Sequence, residues 1–427
     1  MSTTFTTGAD NSSNQNIKLT SKSGNVASLK DDFDLGDAAA SGLKAIDTHG
    51  NVFEVPDFTI KEILQAIPKD CYERRLTTSF YYVFRDIALI ATTMYLGATY
   101  IPMIQNPILN ALAWFSYVFV QGLFGTGIWV LAHECGHQAF SDYGWVNDLV
   151  GWILHSYLLV PYFSWKYSHG KHHKATGHLT RDTVFVPATK ETFMKNRLAE
   201  RIEDITEDAP LATLYSLFIQ QIGGWWAYLT TNVTGQPYAD KPQWMKNHFV
   251  PSSPLFEKRE YWFIVLSDLG ILIQGFILYN WFKKFGAFNF FIHYFFPYMW
   301  VNHWLVFITF LQHTAPTMPH YDANVWNFAR GAAATIDREM PFVGPHIFHD
   351  IIETHVLHHY VSRIPFYNAR KASAAIKKVM GKHYQHTDEN MWVSLWRSGR
   401  ECQFVDGDNG VRMFRNTNNI GVKPTSS

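Results

Sequence analysis

Eight histidines in three short clusters are the residues of this chain with the clearest chemical potential. Two belong to "HECGH" (His133 and His137), three to "HGKHH" (His169, His172 and His173) and three to "HVLHH" (His355, His358 and His359). Imidazole is the commonest metal-ligating side chain, and histidines three or four residues apart lie on neighbouring turns of a helix. The three clusters therefore predict a metal site.

The first cluster alone is typical of a zinc protease. In H-E-x-x-H, two histidines bind zinc and the glutamate, here Glu134, acts as general base. That interpretation leaves the six other clustered histidines unexplained. Eight imidazoles are about twice what one tetrahedral zinc can use, so the count favours two metal ions that keep room for oxygen. Glu134 then has a structural or supporting role.

The composition favours a membrane protein in a reducing compartment. Of 427 residues, 16% are aromatic, and the 36 basic and 36 acidic residues balance, which gives no indication of a nucleic-acid partner. The three cysteines are too scattered for a disulfide framework or a zinc knuckle. Cys135 is interpreted as a small filler beside the metal.

Four transmembrane helices are predicted, arranged as two hairpins. Residues 87–133 contain no Asp, Glu, Lys or Arg, a stretch about twice the ~20 residues that cross a bilayer. Pro102, Asn106 and Pro107 interrupt it, and a second apolar pair follows later in the chain. The predicted spans cover about 87–104, 107–132, 261–282 and 287–311.

All three clusters must lie on one side of the membrane to form one site. The uncharged stretches 149–165 and 210–238 are therefore interpreted as interfacial segments, because one further crossing would separate the clusters. Lys- and Arg-rich segments place the clusters and both termini in the cytosol. The fold class predicted is an all-α integral membrane protein with a cytosolic histidine-rich cap. The folded domain is predicted to cover residues 46–405, with a disordered N-terminal tail at 1–45 and a C-terminal tail at 406–427. No signal peptide is predicted.

One further histidine stands out among those outside the clusters. His313 follows the fourth span at the point where it emerges beside the clusters, so we expect it to be a ninth ligand. His320 and His349 are weaker candidates, and His155 is a candidate to support a ligand.

The chain resembles a known protein family. The three clusters, at these separations and with spans between the second and third, are similar to the histidine boxes of membrane-bound fatty acid desaturases of the Δ12 and ω-3 branch. The segments "VPYFSWKYSHGKHH", "TGHLTRDTVFVP", "LQHTAPTMPHYD" and "RIPFYNARKASAAIKKVMGKHY" resemble fungal members. The resemblance covers roughly residues 45–405.

The resemblance implies a non-haem di-iron enzyme of the endoplasmic reticulum that uses O2 to remove two hydrogens from adjacent methylenes. It implies that two iron ions are bound by His133, His137, His169, His172, His173, His355, His358 and His359, with His313 as the ninth ligand. No haem, nicotinamide, flavin or iron–sulfur motif is found, so the electron donor implied is a separate cytochrome b5 with its NADH-dependent reductase.

Several alternatives stay open at this stage. The favoured reaction converts oleoyl to linoleoyl chains, and the alternative is an ω-3 (Δ15) or bifunctional desaturase. Related hydroxylases, acetylenases and conjugases carry the same boxes, and a binding protein that lost turnover is a further class. The acyl carrier, phospholipid or coenzyme A, the chain-length preference and the oligomeric state are also open.

Overall fold

The computed structural model describes residues 42–196 and 210–425, which are mainly helical. The helices are α1 Ile60–Ala66, α2 Leu76–Tyr100, α3 Pro107–Gly136, α4 Gly144–Tyr157, α5 Tyr162–Ala175, α6 Lys190–Asn196, α7 Pro210–Thr231, α8 Tyr261–Phe290, α9 Phe296–His313, α10 Phe328–Ala333, α11 Val343–His346, α12 His355–Tyr360, α13 Phe366–Met380 and α14 Met391–Glu401. The strands are β1 Lys44–Ile46, β2 Val52–Glu54, β3 Pro319–Tyr321, β4 Asp337–Arg338, β5 His386–Thr387, β6 Phe404–Asp406 and β7 Val411–Arg415.

Helices α2 and α3 form an antiparallel hairpin. The Asn106 side chain caps α3 by accepting hydrogen bonds from the backbone amides of Ile108 and Leu109 at 3.0 and 3.1 Å, and Pro107 occupies the first helical position. The Gln121 side chain then donates to the carbonyl of Ile90 in α2 at 3.0 Å. The hairpin predicted around residues 102–107 is present.

Helices α8 and α9 form the second hairpin. The chain reverses at Gly286, whose φ of 81° lies in the left-handed region that favours glycine. A π-helical turn, Phe291–Phe295, leads into α9. Leu278 of α8 packs with Tyr294 and Tyr298 across this turn, so the two helices run side by side.

The two hairpins meet at their tips, and their other ends carry the first histidine cluster and His313. At the tips, the rings of Trp114 and Phe288 lie 5.5 Å apart, and Tyr117 is hydrogen-bonded to His293 at 2.6 Å. By length and hydropathy, two continuous helical stretches of the described chain could cross a membrane: Pro107–Gly136 and Lys258–His313, the second containing the whole α8–α9 hairpin.

The two segments predicted as interfacial are helical. Residues 149–165 are divided between α4 and α5, and α4 has 14 residues, about 21 Å, which is too short for a hydrocarbon core of about 30 Å. Helix α7 packs against α9 and α14, and its outward residues are apolar and exposed, among them Leu211, Tyr215 and Phe218.

The cap is not purely helical, which corrects the all-α prediction. It contains a two-stranded sheet β1–β2, a three-stranded sheet in the order β3–β7–β6 and a parallel pair β4–β5. Val411, Met413 and Phe414 of β7 are buried in the cap. The segment 406–427, predicted as a tail, is thus packed into the cap at least through β7, because its apolar residues pair with β3 and β6. Of the predicted N-terminal tail at 1–45, residues 1–41 lie outside the part of the chain that the structure describes.

Candidate metal centre

The nine histidines singled out by the sequence converge in two adjoining groups. In the first group, the ligand atoms of five histidines lie within 4.8 Å of one another: His133, His137, His169, His173 and His358. In the second group, the same holds for His172, His313 and His359. His355 joins the second group, since its Nε2 lies 3.1 Å from Nε2 of both His313 and His359.

The spacing between ring nitrogens suits a shared metal ion. Nε2 of His169 lies 3.2 Å from Nε2 of His133 and 3.1 Å from Nε2 of His173. Nitrogens bound to one metal at about 2.1 Å are separated by about 3.0 to 3.4 Å in octahedral or tetrahedral geometry. The two groups also touch, because the rings of His173 and His359 stack at 4.2 Å. The arrangement therefore provides two neighbouring metal positions.

Four helices bring these side chains together. The end of α3 supplies the first cluster, α5 the second, α12 the third, and the last residue of α9 supplies His313. Two of the clusters are divided between the groups. In α5, His169 and His173 are four residues apart and face the first group, while His172 faces the second.

Most of the nine rings are buried, and burial keeps several of them in the form that binds metal. Burial lowers the pKa of His169, His173, His355, His358 and His359 well below the ordinary value. These rings are consequently neutral at physiological pH, which leaves a lone pair on each for a metal ion.

Among the buried ring nitrogens of the site that lack a hydrogen-bond partner in the described residues are Nε2 of His137 and Nε2 of His358. Buried polar atoms are normally paired, and an unpaired acceptor is costly. Both atoms belong to the first group, where a metal ion would satisfy them. The donor set, all imidazole, fits zinc, copper or iron by chemistry, and its number fits two ions.

Groups behind the histidines fix the orientation of two rings in the second group. Nδ1 of His172 donates to Oδ1 of Asp182 at 2.7 Å, and both side chains are buried. The Thr176 hydroxyl donates to the carbonyl of His172, so its oxygen accepts from Nδ1 of His359 at 3.0 Å. In both rings Nε2 is then free to bind metal. The clusters gave no signal for Asp182 or Thr176.

Asp182 provides the first prediction. Its Oδ1 also accepts from the backbone amides of Val184 and Phe185, so asparagine can keep all three hydrogen bonds while losing the charge. We expect Asp182→Asn to lower iron affinity or activity roughly tenfold, and Asp182→Ala up to about a hundredfold. Iron content of the purified protein and its Mössbauer spectrum measure this.

A matched control distinguishes the loss of the contact that orients His172 from the loss of any acidic side chain in the cap. Asp322 lies elsewhere in the cap, where it pairs with Arg412 at 3.0 Å. Asp322→Asn should retain iron and spectrum. Normal iron binding and an unchanged spectrum in Asp182→Ala would refute a role for Asp182 in positioning His172.

Glu134 does not face a substrate as a proteolytic base would. Its Oε2 accepts from the backbone amide of Phe366 at 3.1 Å, at the first residue of α13. A carboxyl oxygen at a helix N-terminus satisfies an otherwise unpaired amide. Glu134 therefore joins the end of α3 to α13 beside the site.

The three weaker histidine candidates lie outside both groups. His155 packs against Trp129 and Trp165, whose rings in turn contact His133 and His169, so it lies one layer behind the first group. The ring of His320 packs on Phe414, and Nε2 of His349 contacts Oδ2 of Asp86 at 2.8 Å.

An apolar cavity of about 580 Å3 reaches both groups. Its lining includes His133 and His169 from the first group and His172, His313 and His355 from the second. The remaining wall comes mainly from α3, α7 and α9, and among the described residues no Asp, Glu, Lys or Arg lines it. The volume is in the range of small-molecule sites, and the wall suits a hydrocarbon chain rather than a polar substrate.

The sequence is similar to those of known proteins. The family model for fatty acid desaturases matches residues 111–390. The chain is 47% identical to an oleate hydroxylase of Claviceps purpurea, over 89% of this chain and 86% of that protein. The chain belongs to the fatty acid desaturase family. It is also 44% identical to a Δ12 fatty acid desaturase of Mortierella isabellina, over 85% of this chain and 92% of that one.

A plant relative extends the comparison. The chain is 42% identical to an ω-6 fatty acid desaturase of the endoplasmic reticulum from Brassica juncea, over 83% of this chain and 89% of the relative. The family consists of oxidoreductases that act on lipid chains, and the buried histidine groups beside an apolar cavity agree with that class. The family resemblance predicted from the sequence is confirmed.

Proposed function

We propose that this protein introduces a Δ12 cis double bond into oleoyl chains to give linoleoyl chains. The observation that carries the proposal is the meeting of two groups of histidines, most of them buried, with a cavity whose described lining residues include no Asp, Glu, Lys or Arg. Among the relatives, Δ12 desaturases recur at 41–44% identity across fungi and plants. The reaction uses O2, which accepts two electrons from the chain and two from a donor.

Two iron ions are proposed as the cofactor. The first would be held by His133, His137, His169, His173 and His358, and the second by His172, His313, His355 and His359. Iron supplies the oxidising power that an unactivated C–H bond requires and that amino-acid side chains lack. The chain's own residues hold the acyl chain in the apolar cavity, exclude water from it and fix the ring orientations through Asp182 and Thr176.

The location proposed is the membrane of the endoplasmic reticulum, with four transmembrane helices and the active site and both termini in the cytosol. The two antiparallel hairpins, α2–α3 and α8–α9, support four crossings because their tips lie together at the end opposite the histidines. Exposed apolar residues along α2, including Tyr81, Phe84 and Tyr95, support contact with lipid.

The catalytic region proposed is residues 46–405, extended by β6 and β7. Its partners would be an acyl-lipid or acyl-CoA and a separate cytochrome b5 with its NADH-dependent reductase. A cytosolic site would give an electron donor on the cytosolic side access to the metal centre. The cavity would receive the acyl chain from the membrane.

Hydroxylation of oleoyl chains is the second candidate, because the oleate hydroxylase of Claviceps purpurea shares 47% identity with this chain. Both reactions oxidise an oleoyl chain, so the metal centre does not distinguish them. An ω-3 (Δ15) desaturase, alone or combined with Δ12 activity, is the alternative within the desaturases.

Expression in a yeast that makes only monoenoic fatty acids tests the proposal. We expect 18:2 with its new double bond at Δ12, measured by gas chromatography and mass spectrometry of fatty acid methyl esters. The same strain without the gene is the control. A hydroxylated 18:1 as the main product, or 18:3 that forms only when linoleate is fed, would contradict Δ12 desaturation and support one of the other two reactions.

A further inference from the structure

Helix α7 separates two apolar cavities. The residues Ser216, Ile219, Gln220, Gly223 and Ala227 line the cavity that reaches the histidines. The residues Leu214, Leu217, Phe218, Gln221 and Ile222 line a second cavity of about 890 Å3 between α3, α7, α9 and α14. At 100° per residue, the first set falls on one side of α7 and the second on another. Gly223 therefore shares one helical face with Ser216, Ile219, Gln220 and Ala227, while Tyr215, Gly224, Trp225 and Tyr228 of α7 line the same cavity from other sides of the helix.

The two adjacent glycines of this helix have different surroundings. A Cβ added to Gly224 would touch the Val306 side chain of α9 at 3.4 Å, so Gly224 allows close approach of the two helices. A Cβ added to Gly223 would meet no heavy atom within 4 Å. Gly223 thus leaves room for a methyl group, and because Gly223 lines the cavity, a larger side chain there would take up cavity volume.

Gly223 also lies at a definite distance from the metal centre. Its neighbour Gly224 contacts Val306, and Val306 precedes His313 by seven residues in α9. At 1.5 Å per residue, this level of the cavity is about 10 Å from His313 along the helix. Bulk at position 223 would therefore obstruct the cavity several methylene groups away from the reacting carbons.

We propose that Gly223 determines how long a methyl-terminal segment the cavity accepts beyond the reacting carbons. The inference rests on the proposed desaturase function and adds its chain-length specificity. The methyl end is assigned to this part of the cavity because it carries no polar atom, and the wall formed by residues 42–196 and 210–425 offers no charged side chain to an acyl headgroup or carboxylate. A side chain at position 223 would shorten the space for C17 and C18 of an oleoyl chain more than for the end of a palmitoleoyl chain.

The test uses a yeast that contains both palmitoleate and oleate, so that one culture reports both substrates. We expect Gly223→Leu to raise the ratio of 16:2 to 18:2 roughly tenfold or more, because a misfit of one or two methylenes in an apolar pocket changes selectivity by that amount. Gly223→Ala adds one methyl group and should shift the ratio in the same direction by less. The alanine variant still tests the inference if the leucine variant does not accumulate.

A matched control lies on the exposed side of α8. Gly275 is helical, and a Cβ there also meets nothing within 4 Å, but it does not line the histidine-lined cavity. Gly275→Leu should leave the product ratio unchanged. Protein amount by immunoblot and iron content accompany each variant.

The outcomes separate this inference from the proposed function. A wild-type protein that forms no diene would overturn the proposed activity and with it the inference. A wild type that forms 18:2, together with Gly223 variants whose 16:2 to 18:2 ratio is unchanged or whose two products fall equally, would overturn the inference alone.

Discussion

Replacing His358 with alanine is expected to abolish fatty acid desaturation and to release iron from the first histidine group. Nε2 of His358 is buried without a hydrogen-bond partner in the described residues, and its ring lies 4.6 to 4.7 Å from those of His133, His137 and His173. Alanine offers no ligand atom and leaves a cavity that neighbouring imidazoles cannot fill. Activity in yeast and iron per purified chain measure the effect.

The equivalent change in the second group should have the same consequence. His172→Ala removes the ring that Asp182 orients, next to His313 and His359. Desaturation should fall to background, because both metal positions are needed for the reaction. Turnover retained in either variant, with normal protein amount, would show that the replaced histidine is not an essential ligand.

His313→Ala is also expected to have a large effect. This residue lies outside the three clusters, yet its Nε2 is 3.1 Å from that of His355, and its ring packs at 4.7 Å from His172. We expect loss of activity together with roughly half of the bound iron, because the second group would keep three imidazoles and an open side.

Helix α9 offers a matched control for His313. His303 lies ten residues earlier in the same helix and lines the second cavity, where its ring stacks on Trp392 at 5.6 Å. His303→Ala removes the same side chain from the same helix and should keep iron and turnover. If His313→Ala also retained the wild-type iron content and rate, the metal centre would consist of the eight clustered histidines alone.

The helical hairpins could be predicted because their signal is local. A long charge-free run broken at Pro102, Asn106 and Pro107 requires two helices and a turn, and the α2–α3 hairpin has that form. The small sheets of the cap could not be predicted in the same way. Strand β3 has three residues and pairs with β7 about ninety residues later, so neither strand shows a clear alternating pattern by itself.

The sequence singled out the nine histidines that converge in the structure, but it did not indicate which of them would lie in which group. The clusters and His313 could be singled out from residue type and position, and all nine rings meet in the structure. Which ring belongs to which group depends on the relative rotation of α5 and α12, and this is set by packing. The same holds for Asp182, whose contact with His172 is made by a turn ten residues downstream.

The first cluster illustrates how the environment decides a residue's role. H-E-x-x-H predicts a self-contained zinc site with a catalytic glutamate. Here His133 and His137 share their group with three histidines from two other helices, and Glu134 accepts a hydrogen bond from the start of α13. The Glu134 side chain thus joins two helices, whereas the glutamate of a zinc protease activates water.

The metal content of the active, purified wild-type protein tests the central claim most directly. Elemental analysis combined with Mössbauer spectroscopy should find two iron ions per chain, with desaturase activity that increases in proportion to bound iron. One zinc ion per chain, with activity that follows zinc and survives His358→Ala, would contradict the two-iron account and return the chain to the zinc chemistry of its first cluster.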